Sequence, residues 1–252
     1  MRIILFTIDD IDYSPLLNKQ FIERYKKDIS KIYISRSLFD IKKVIKNLNF
    51  LVKNSYPFCI KFKDLFSYLR WKHINFKNKS TLDYYNNIGI DTSYVDDINS
   101  DVFIEELNSL KPDIVLFNPF DKIAKQNFLS IPSIGAYNVH LGKIPEYRGG
   151  FSSFWVLRNG DTTSGITIHE LTTKIDKGNI IEELRFEHDC KSMKKLMDKT
   201  SFLASNLVVN FLEKIYNNDK SFISVNDRID RYYMYPSYGD FNEFYKKGNV
   251  LI

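Results

Sequence analysis

Cysteine is almost missing from this chain: its 252 residues hold two, Cys59 and Cys190, far apart in sequence. Neither sits in a CxxC pair or at metal-ligand spacing, so a disulfide framework and a thiolate metal centre are both excluded. Two unpatterned cysteines suit the reducing cytoplasm. Long apolar runs are absent too. With no stretch of about 18 apolar residues, nothing here can span a bilayer as a helix. The opening Arg2-Ile3-Ile4-Leu5-Phe6-Thr7-Ile8 is too short for a signal-peptide core and leads straight into Asp9-Asp10-Ile11-Asp12. It reads as a buried first strand. No internal repeat, low-complexity tract or linker interrupts the chain.

What is present suits an ordinary folded core. Apolar residues make up 44% of the chain, too many for a disordered one. The formal charge of +5 is spread unevenly. Residues 40–80 carry Lys42, Lys43, Lys46, Lys53, Lys61, Lys63, Arg70, Lys72, Lys77 and Lys79 against only Asp40 and Asp64. Such a run is either a solvated helical face or a platform for an anionic partner, such as a nucleotide diphosphate or a membrane surface.

The first half alternates short apolar runs with helical periodicity, which implies an α/β sheet. Strands are expected at 2–8, 31–35, 90–95, 113–118 and 135–140. Helices are expected at 14–27, opened by Ser14-Pro15, at 81–87, at 102–110 behind Ser100 or Asp101, and at 123–129. Helical periodicity over 39–70, interrupted at Pro57, reads as an insertion at about 38–80. Beyond it, 153–159 reads as a short helix, and 163–171 and 180–188 alternate like strands. Residues 192–217 form the best amphipathic helix in the sequence, with Met193, Leu196, Met197, Thr200, Leu203, Ala204, Leu207, Val208, Phe211 and Ile215 on one stripe. The tail from 232 to 252 is rich in aromatics. The expected division is a catalytic domain over 1–188 and, over 189–252, a helix and tail packed on that same domain.

The chemistry concentrates in four short blocks: Asn138-Val139-His140, Ile144-Pro145-Glu146-Tyr147-Arg148-Gly149, Gly165-Ile166-Thr167-Ile168-His169, and Ile175-Asp176-Lys177-Gly178. Residues two apart on a strand share a face, so Asn138 and His140 can enter one cleft. Acyl transfer to an amine needs an amide donor for the developing oxyanion, an imidazole for the proton and a carboxylate to orient it. Asn138, His140 and Asp176 supply these three. No metal is implied. His169, alternating with Thr167, reads as a structural hydrogen-bonding residue near the site, whereas His73 and His188 have no motif around them and are expected at the surface. Arg148 either meets a substrate phosphate or carboxylate or anchors its loop on backbone carbonyls.

In order and spacing these blocks resemble the folate-dependent formyltransferase family: Asn-x-His, Leu-Pro-x-Tyr-Arg-Gly, Gly-x-Thr-x-His, Asp-x-Gly. The resemblance runs over about 111–181. It departs at Leu141-Gly142-Lys143, where relatives usually have Pro-Ser-Leu. The likeness implies a Rossmann-like, mostly parallel sheet flanked by helices, with catalytic roles for Asn138, His140 and Asp176. It also implies 10-formyltetrahydrofolate as formyl donor. The donor would lie against Phe117, Asn118, Pro119, Gly135, Ala136, Tyr137, Thr173 and Ile175. Substrate contacts would come from Lys143, Tyr147, Arg148 and Gly149, with Asp9 and Asp10 meeting sugar hydroxyls or merely capping the next helix.

Within that family, the acceptor is narrowed by what is missing. The turn after the first strand, Thr7-Ile8-Asp9-Asp10-Ile11-Asp12, is acidic and lacks glycine, so it would repel a phosphoribosyl group. The 64 residues from Asp189 onward are not expected to close the basic barrel of a methionyl-tRNA enzyme, and the regulatory domain of a formyltetrahydrofolate hydrolase is not expected either. A nucleotide-linked amino-deoxy sugar, such as dTDP-4-amino-4,6-dideoxyglucose, is the expected acceptor, for surface polysaccharide biosynthesis. Another small amine, or a non-catalytic folate- or nucleotide-binding module, is the alternative. The resemblance further implies a cytoplasmic homodimer with no nucleic-acid partner.

Overall fold

The structure is a computed structural model and describes residues 1–11, 13–36, 80–219 and 231–252. The insertion expected at about 38–80, apart from Ser80, lies outside the described residues. So do its basic charges, Cys59 and His73.

Among the described residues, seven strands form one sheet: β1 (Ile3–Ile8), β2 (Ile29–Ser35), β3 (Thr92–Val95), β4 (Ile114–Phe117), β5 (Gly135–His140), β7 (Thr163–Glu170) and β8 (Ile180–Glu187). Their order is β3-β2-β1-β4-β5-β7-β8. The first five run parallel, whereas β7 is antiparallel to both β5 and β8. The fold is therefore the mostly parallel α/β sheet expected from the sequence. A central parallel strand is covered on both faces, which is why β1 is apolar at nearly every position. Ile3 and Leu5 point into one layer, with Leu17, Phe21 and Ile22 of α1 (Ser14–Tyr25) and Ala204, Val208 and Phe211 of α6 (Met193–Tyr216). Ile4 and Phe6 point into the other, with Phe103 and Leu107 of α3 (Asp101–Leu110) and Phe128 of α4 (Gln126–Leu129). Each such side chain, fully buried, contributes about 1.5–3 kcal/mol.

Helix ends follow their caps. Ser80 accepts from Asp83 N–H at the start of α2 (Thr81–Asn87), Ser100 from Phe103 N–H, and Ser192 from Lys195 N–H. Ser14 does something else. It is already helical, and its hydroxyl bonds Thr7 Oγ1 and the Tyr85 hydroxyl, each at 2.8 Å. The helix expected at 123–129 shrinks to its last four residues. Asn99 explains this: its amide donates to the Ile123 carbonyl at 2.9 Å and its oxygen accepts from Lys125 N–H at 2.8 Å, holding the chain out of a helix.

A third cluster joins α5 (Ser152–Asn159), the start of α6 and α7 (Tyr238–Lys246), where Phe154 stacks on Phe244 with centroids 4.8 Å apart. Helix α7 was not expected from the aromatic tail, although Ser237 and Asp240 form a capping box. Two short strands, β6 (Arg148–Gly149) and β9 (Tyr232–Tyr233), pair parallel and bring this tail against the loop after β5. His188, expected at the surface, is buried, and neither ring nitrogen has a hydrogen-bond partner among the described residues. Its backbone N–H donates to the Thr162 carbonyl at 2.8 Å, just beyond the Thr163–Glu187 pair of β7 and β8.

Candidate active site

Strands β5 and β7 build the floor of the site. Their antiparallel register sets Asn138 opposite His169 and His140 opposite Thr167. Alternation places these four on one face, while Tyr137, Val139, Ile166 and Ile168 fill the core on the other. The turn between β7 and β8 returns Asp176 to the polar face.

The acceptors fix the hydrogens. His140 Nε2 lies 2.7 Å from the Tyr147 carbonyl oxygen. A carbonyl only accepts, so Nε2 carries the proton and Nδ1 keeps a lone pair. That Nδ1 faces Asp176 Oδ2 at 3.7 Å. In His169 the tautomer is reversed: Nδ1 donates to the Glu170 carbonyl at 2.8 Å, and bare Nε2 accepts from Asn138 Nδ2 at 3.1 Å. The same Nε2 is 3.4 Å from Asp176 Oδ1. One carboxylate thus stands between two imidazoles, with one oxygen toward each.

Asp176 is built to stay ionised. Burial pushes its pKa up, but the positive charge that His140 carries when protonated, the bond and charge of a protonated His169, and the Gly149 N–H outweigh that and hold the carboxyl well below its ordinary range. Gly149 N–H donates to Oδ2 at 2.8 Å, and the buried Arg148 donates from Nε to the Asp176 main-chain carbonyl at 2.9 Å. Arg148 therefore serves as a loop anchor. Asp176 has φ 51°, a left-handed conformation that aspartate tolerates better than most residues. Gly178 lets the turn close on the Glu170 carbonyl, where any Cβ would collide. These two requirements account for the Asp-x-Gly spacing.

The Gly-x-Thr-x-His block acts on the loop after His140, one residue at a time. Gly165 leaves room for the Lys143 stem, whose Cγ would lie 2.8 Å from a Cβ there. Thr167 Oγ1 donates to the Gly142 carbonyl at 2.8 Å and accepts from Ile144 N–H at 3.3 Å. His169 reaches Asn138 and Asp176. Gly142 also answers to space, since a Cβ there would lie 2.6 Å from Ser152 Oγ and 2.8 Å from His140 Nε2.

Other expected contacts are placed differently from the cluster. Lys143 is buried, bonded to Thr163 Oγ1 at 2.9 Å, and Tyr147 is buried with its hydroxyl on Asp161 Oδ2 at 2.7 Å. Asp9 accepts from the Tyr94 hydroxyl at 3.0 Å, and Asp10 Oδ1 accepts from Tyr13 N–H ahead of α1. Phe117 and Tyr137 bury their rings in the core, and Asn118 is buried against Asn18. Ala136 is buried, Gly135 and Pro119 are partly so, and Thr173 and Ile175 are exposed on the turn that carries Asp176. The tail adds what sequence reading missed: Phe151, Tyr232, Met234 and Tyr235 are exposed, with the Phe151 and Tyr235 rings 5.0 Å apart. Tyr232 pairs with Arg148 in the β6–β9 bridge, and its hydroxyl pKa is raised by burial and then by the charge of Asp176. Among the described residues no group of His, Cys, Asp or Glu is placed to hold a metal ion, and no helix is long and apolar enough to cross a membrane.

An amide, two imidazoles and a carboxylate thus gather beside the fifth strand of an α/β sheet. Residues 95–212 match the formyl transferase family model. Over 155 residues it is 35% identical to the bifunctional polymyxin resistance protein ArnA of Wigglesworthia glossinidia brevipalpis, covering 60% of this chain and 24% of that protein. Over 125 residues it is 36% identical to the methionyl-tRNA formyltransferase of Borrelia recurrentis (strain A1), covering 48% of this chain and 40% of that one. The chain thus spans less than half the length of these curated relatives. Among solved structures, the N-formyltransferase from Helicobacter canadensis, in complex with folinic acid and dTDP-3-aminofucose, superposes with a TM-score of 0.63 at 20% identity. That match covers 96% of this chain and 79% of the other. WlaRD, a sugar 3N-formyl transferase in the presence of dTDP and 5-N-formyl-THF, matches with a TM-score of 0.59 at 18% identity, covering 92% and 69%. At such identities the two structures share the fold.

Proposed function

We propose that this chain transfers the formyl group of 10-formyltetrahydrofolate to the amino group of a nucleotide-linked amino-deoxy sugar. The observation that carries this reading is Asp176 held ionised between His140 and His169, with Asn138 hydrogen-bonded into the same cluster. The reaction forms one amide and breaks another, and the amine's proton ends on the nitrogen that the formyl group leaves. Asn138 has two N–H donors and gives one to His169, leaving the second for the developing oxyanion. His140 Nδ1 takes the proton from the attacking amine, and Asp176 stabilises the resulting imidazolium. The pterin would lie against the exposed Ile175 and Thr173 and the main chain of 117–119 and 134–137, and the donor would supply the electrophilic formyl carbon. On the acceptor side, the exposed rings of Phe151, Tyr232 and Tyr235 suit a planar base. The solved neighbours crystallised with dTDP or a dTDP-sugar support that acceptor class.

A second reading has its own support. The curated relatives include methionyl-tRNA formyltransferases at 36% identity, so methionyl-tRNA is the competing acceptor. One experiment separates the two: incubation with 10-formyltetrahydrofolate and dTDP- and GDP-amino sugars, or methionyl-tRNA, followed by mass spectrometry. A gain of one formyl group on a sugar nucleotide, lost in His140→Ala and Asp176→Ala, is the expected result. Transfer to the tRNA alone would replace the sugar reading, and near-normal turnover in both variants would refute the mechanism.

A further inference from the structure

We propose that Lys143 and Asp161 are positioning residues for His140, acting through the main-chain carbonyl of Tyr147. The proposal rests on His140 handling the proton in formyl transfer, the reading given above. Lys143 is one of the three residues where this chain departs from the usual Pro-Ser-Leu, and its side chain is only 7% exposed. The ammonium donates to Thr163 Oγ1 at 2.9 Å, has Asp161 Oδ2 at 3.5 Å, and lies 5.4 Å from the centroid of the Tyr147 ring. A buried ammonium is costly unless paired. An apolar side chain would fill the space of the stem without that cost, so packing alone does not account for a lysine here.

The lysine's partners converge on Tyr147. Asp161 Oδ2, beside the ammonium, accepts from the Tyr147 hydroxyl at 2.7 Å, and Asn159 Nδ2 donates to the same hydroxyl at 3.1 Å. The Tyr147 ring stacks on Tyr233 with centroids 5.3 Å apart. On the main chain, Tyr147 N–H donates to the Lys143 carbonyl at 2.7 Å. Tyr147 is therefore held at both its hydroxyl and its backbone, and its carbonyl meets His140 Nε2 at 2.7 Å.

That carbonyl decides a tautomer. Asp176 Oδ2 faces His140 Nδ1 and by itself would draw the single proton of a neutral imidazole onto Nδ1. The Tyr147 carbonyl holds the proton on Nε2 instead, so the Nδ1 lone pair stays open to a proton from the amine. Lys143 and Asp161 keep the carbonyl where it can do this.

The test reads the tautomer without any substrate. The chain has four histidines, and long-range 1H–15N spectra of 15N-histidine-labelled protein distinguish Nε2–H from Nδ1–H rings. His140 should be in the Nε2–H form in the unaltered protein. In Lys143→Met, which keeps the stem and drops the charge, the Nδ1–H form should appear while His169 stays unchanged. Turnover should fall about tenfold, with KM for donor and acceptor each within about twofold. Tyr147→Phe should shift the tautomer the same way, and it decides the matter if Lys143→Met does not fold. An unshifted His140 spectrum, or a loss carried mainly by KM, would overturn the proposal. Absence of turnover in the unaltered protein on every acceptor would sink the functional reading, and the spectra would still decide the positioning.

Discussion

The two faces of strands β5 and β7 differ in what they demand. On one face Tyr137, Val139, Ile166 and Ile168 pack against α1 and α6, and their requirements are volume and apolarity. On the other, Asn138, His140, Thr167 and His169 each hold a specified partner: an imidazole, a carbonyl, two backbone groups of one loop, and a carboxylate with an amide. Cores tolerate swaps that conserve volume. A hydrogen-bonded network does not, because each lost partner leaves a buried polar group unmade. The same two backbones thus carry a tolerant surface and an exacting one.

The sharpest way to break this contrast is at its most connected residue. Asp176→Asn keeps size and shape but replaces an acceptor-only carboxylate with a neutral amide facing two imidazoles. Turnover should fall by roughly 10²–10⁴-fold, measured as formyl transfer at saturating substrates. The carboxyl's pKa is depressed in the folded chain, so Asp176 contributes stability above its unfolded pKa, near 3.8, and loses it as pH falls through the lower folded value. Between pH 5 and 8, about the usual working window, it stays charged, and any acid limb in the rate profile there belongs to another group. A profile whose acid limb disappeared in Asp176→Asn would contradict this.

A neighbouring pair tests the two faces directly. Thr167→Val preserves shape but deprives the Gly142 carbonyl and the Ile144 N–H of their partner, at a cost of about 1–3 kcal/mol. It should also slow turnover, because those two groups hold the loop after His140. Ile168→Val, one residue away on the other face, should cost about 0.5–1.5 kcal/mol and leave turnover within about twofold. Chemical denaturation and steady-state rates on both variants check this. Equal catalytic losses would show that the faces are not separate.

Much of this was legible beforehand for reasons the structure makes physical. The strands and helices of the parallel half follow from apolar runs and serine caps, both local signals. The Asn-x-His and Asp-x-Gly spacings encode a strand face and a left-handed turn, which are local as well. What could not be read was non-local: the register that sets His169 opposite Asn138, the tail strand β9 that pairs with Arg148 and Gly149, and the direction taken by Lys143. A lysine in a loop reads as solvent-seeking or substrate-seeking, and only the neighbouring Thr163, Asp161 and Gly165 make it a buried tie. Helix α4 was over-extended for the same reason, since Asn99 lies 24 residues before Ile123.

His188 gives the smallest expected effect and tests the contrast from outside. It is a buried polar side chain at the end of β8 with none of the partners that make the site's histidines exacting. Burial lowers its pKa from the ordinary 6.5, and Lys199 and Lys143 lower it further against the opposing charges of Asp189 and Asp161. The unfolded chain therefore binds a proton that the folded chain refuses. Stability is unaffected by this group above pH about 6.5 and falls as pH drops below it. His188→Leu removes two unpartnered nitrogens, so at neutral pH the change should be nearly neutral or slightly stabilising. Below pH about 6 the variant should hold its melting temperature better than the unaltered chain. A variant that melts lower at every pH would mean that His188 has a partner after all, and that its face of β8 is as exacting as the site.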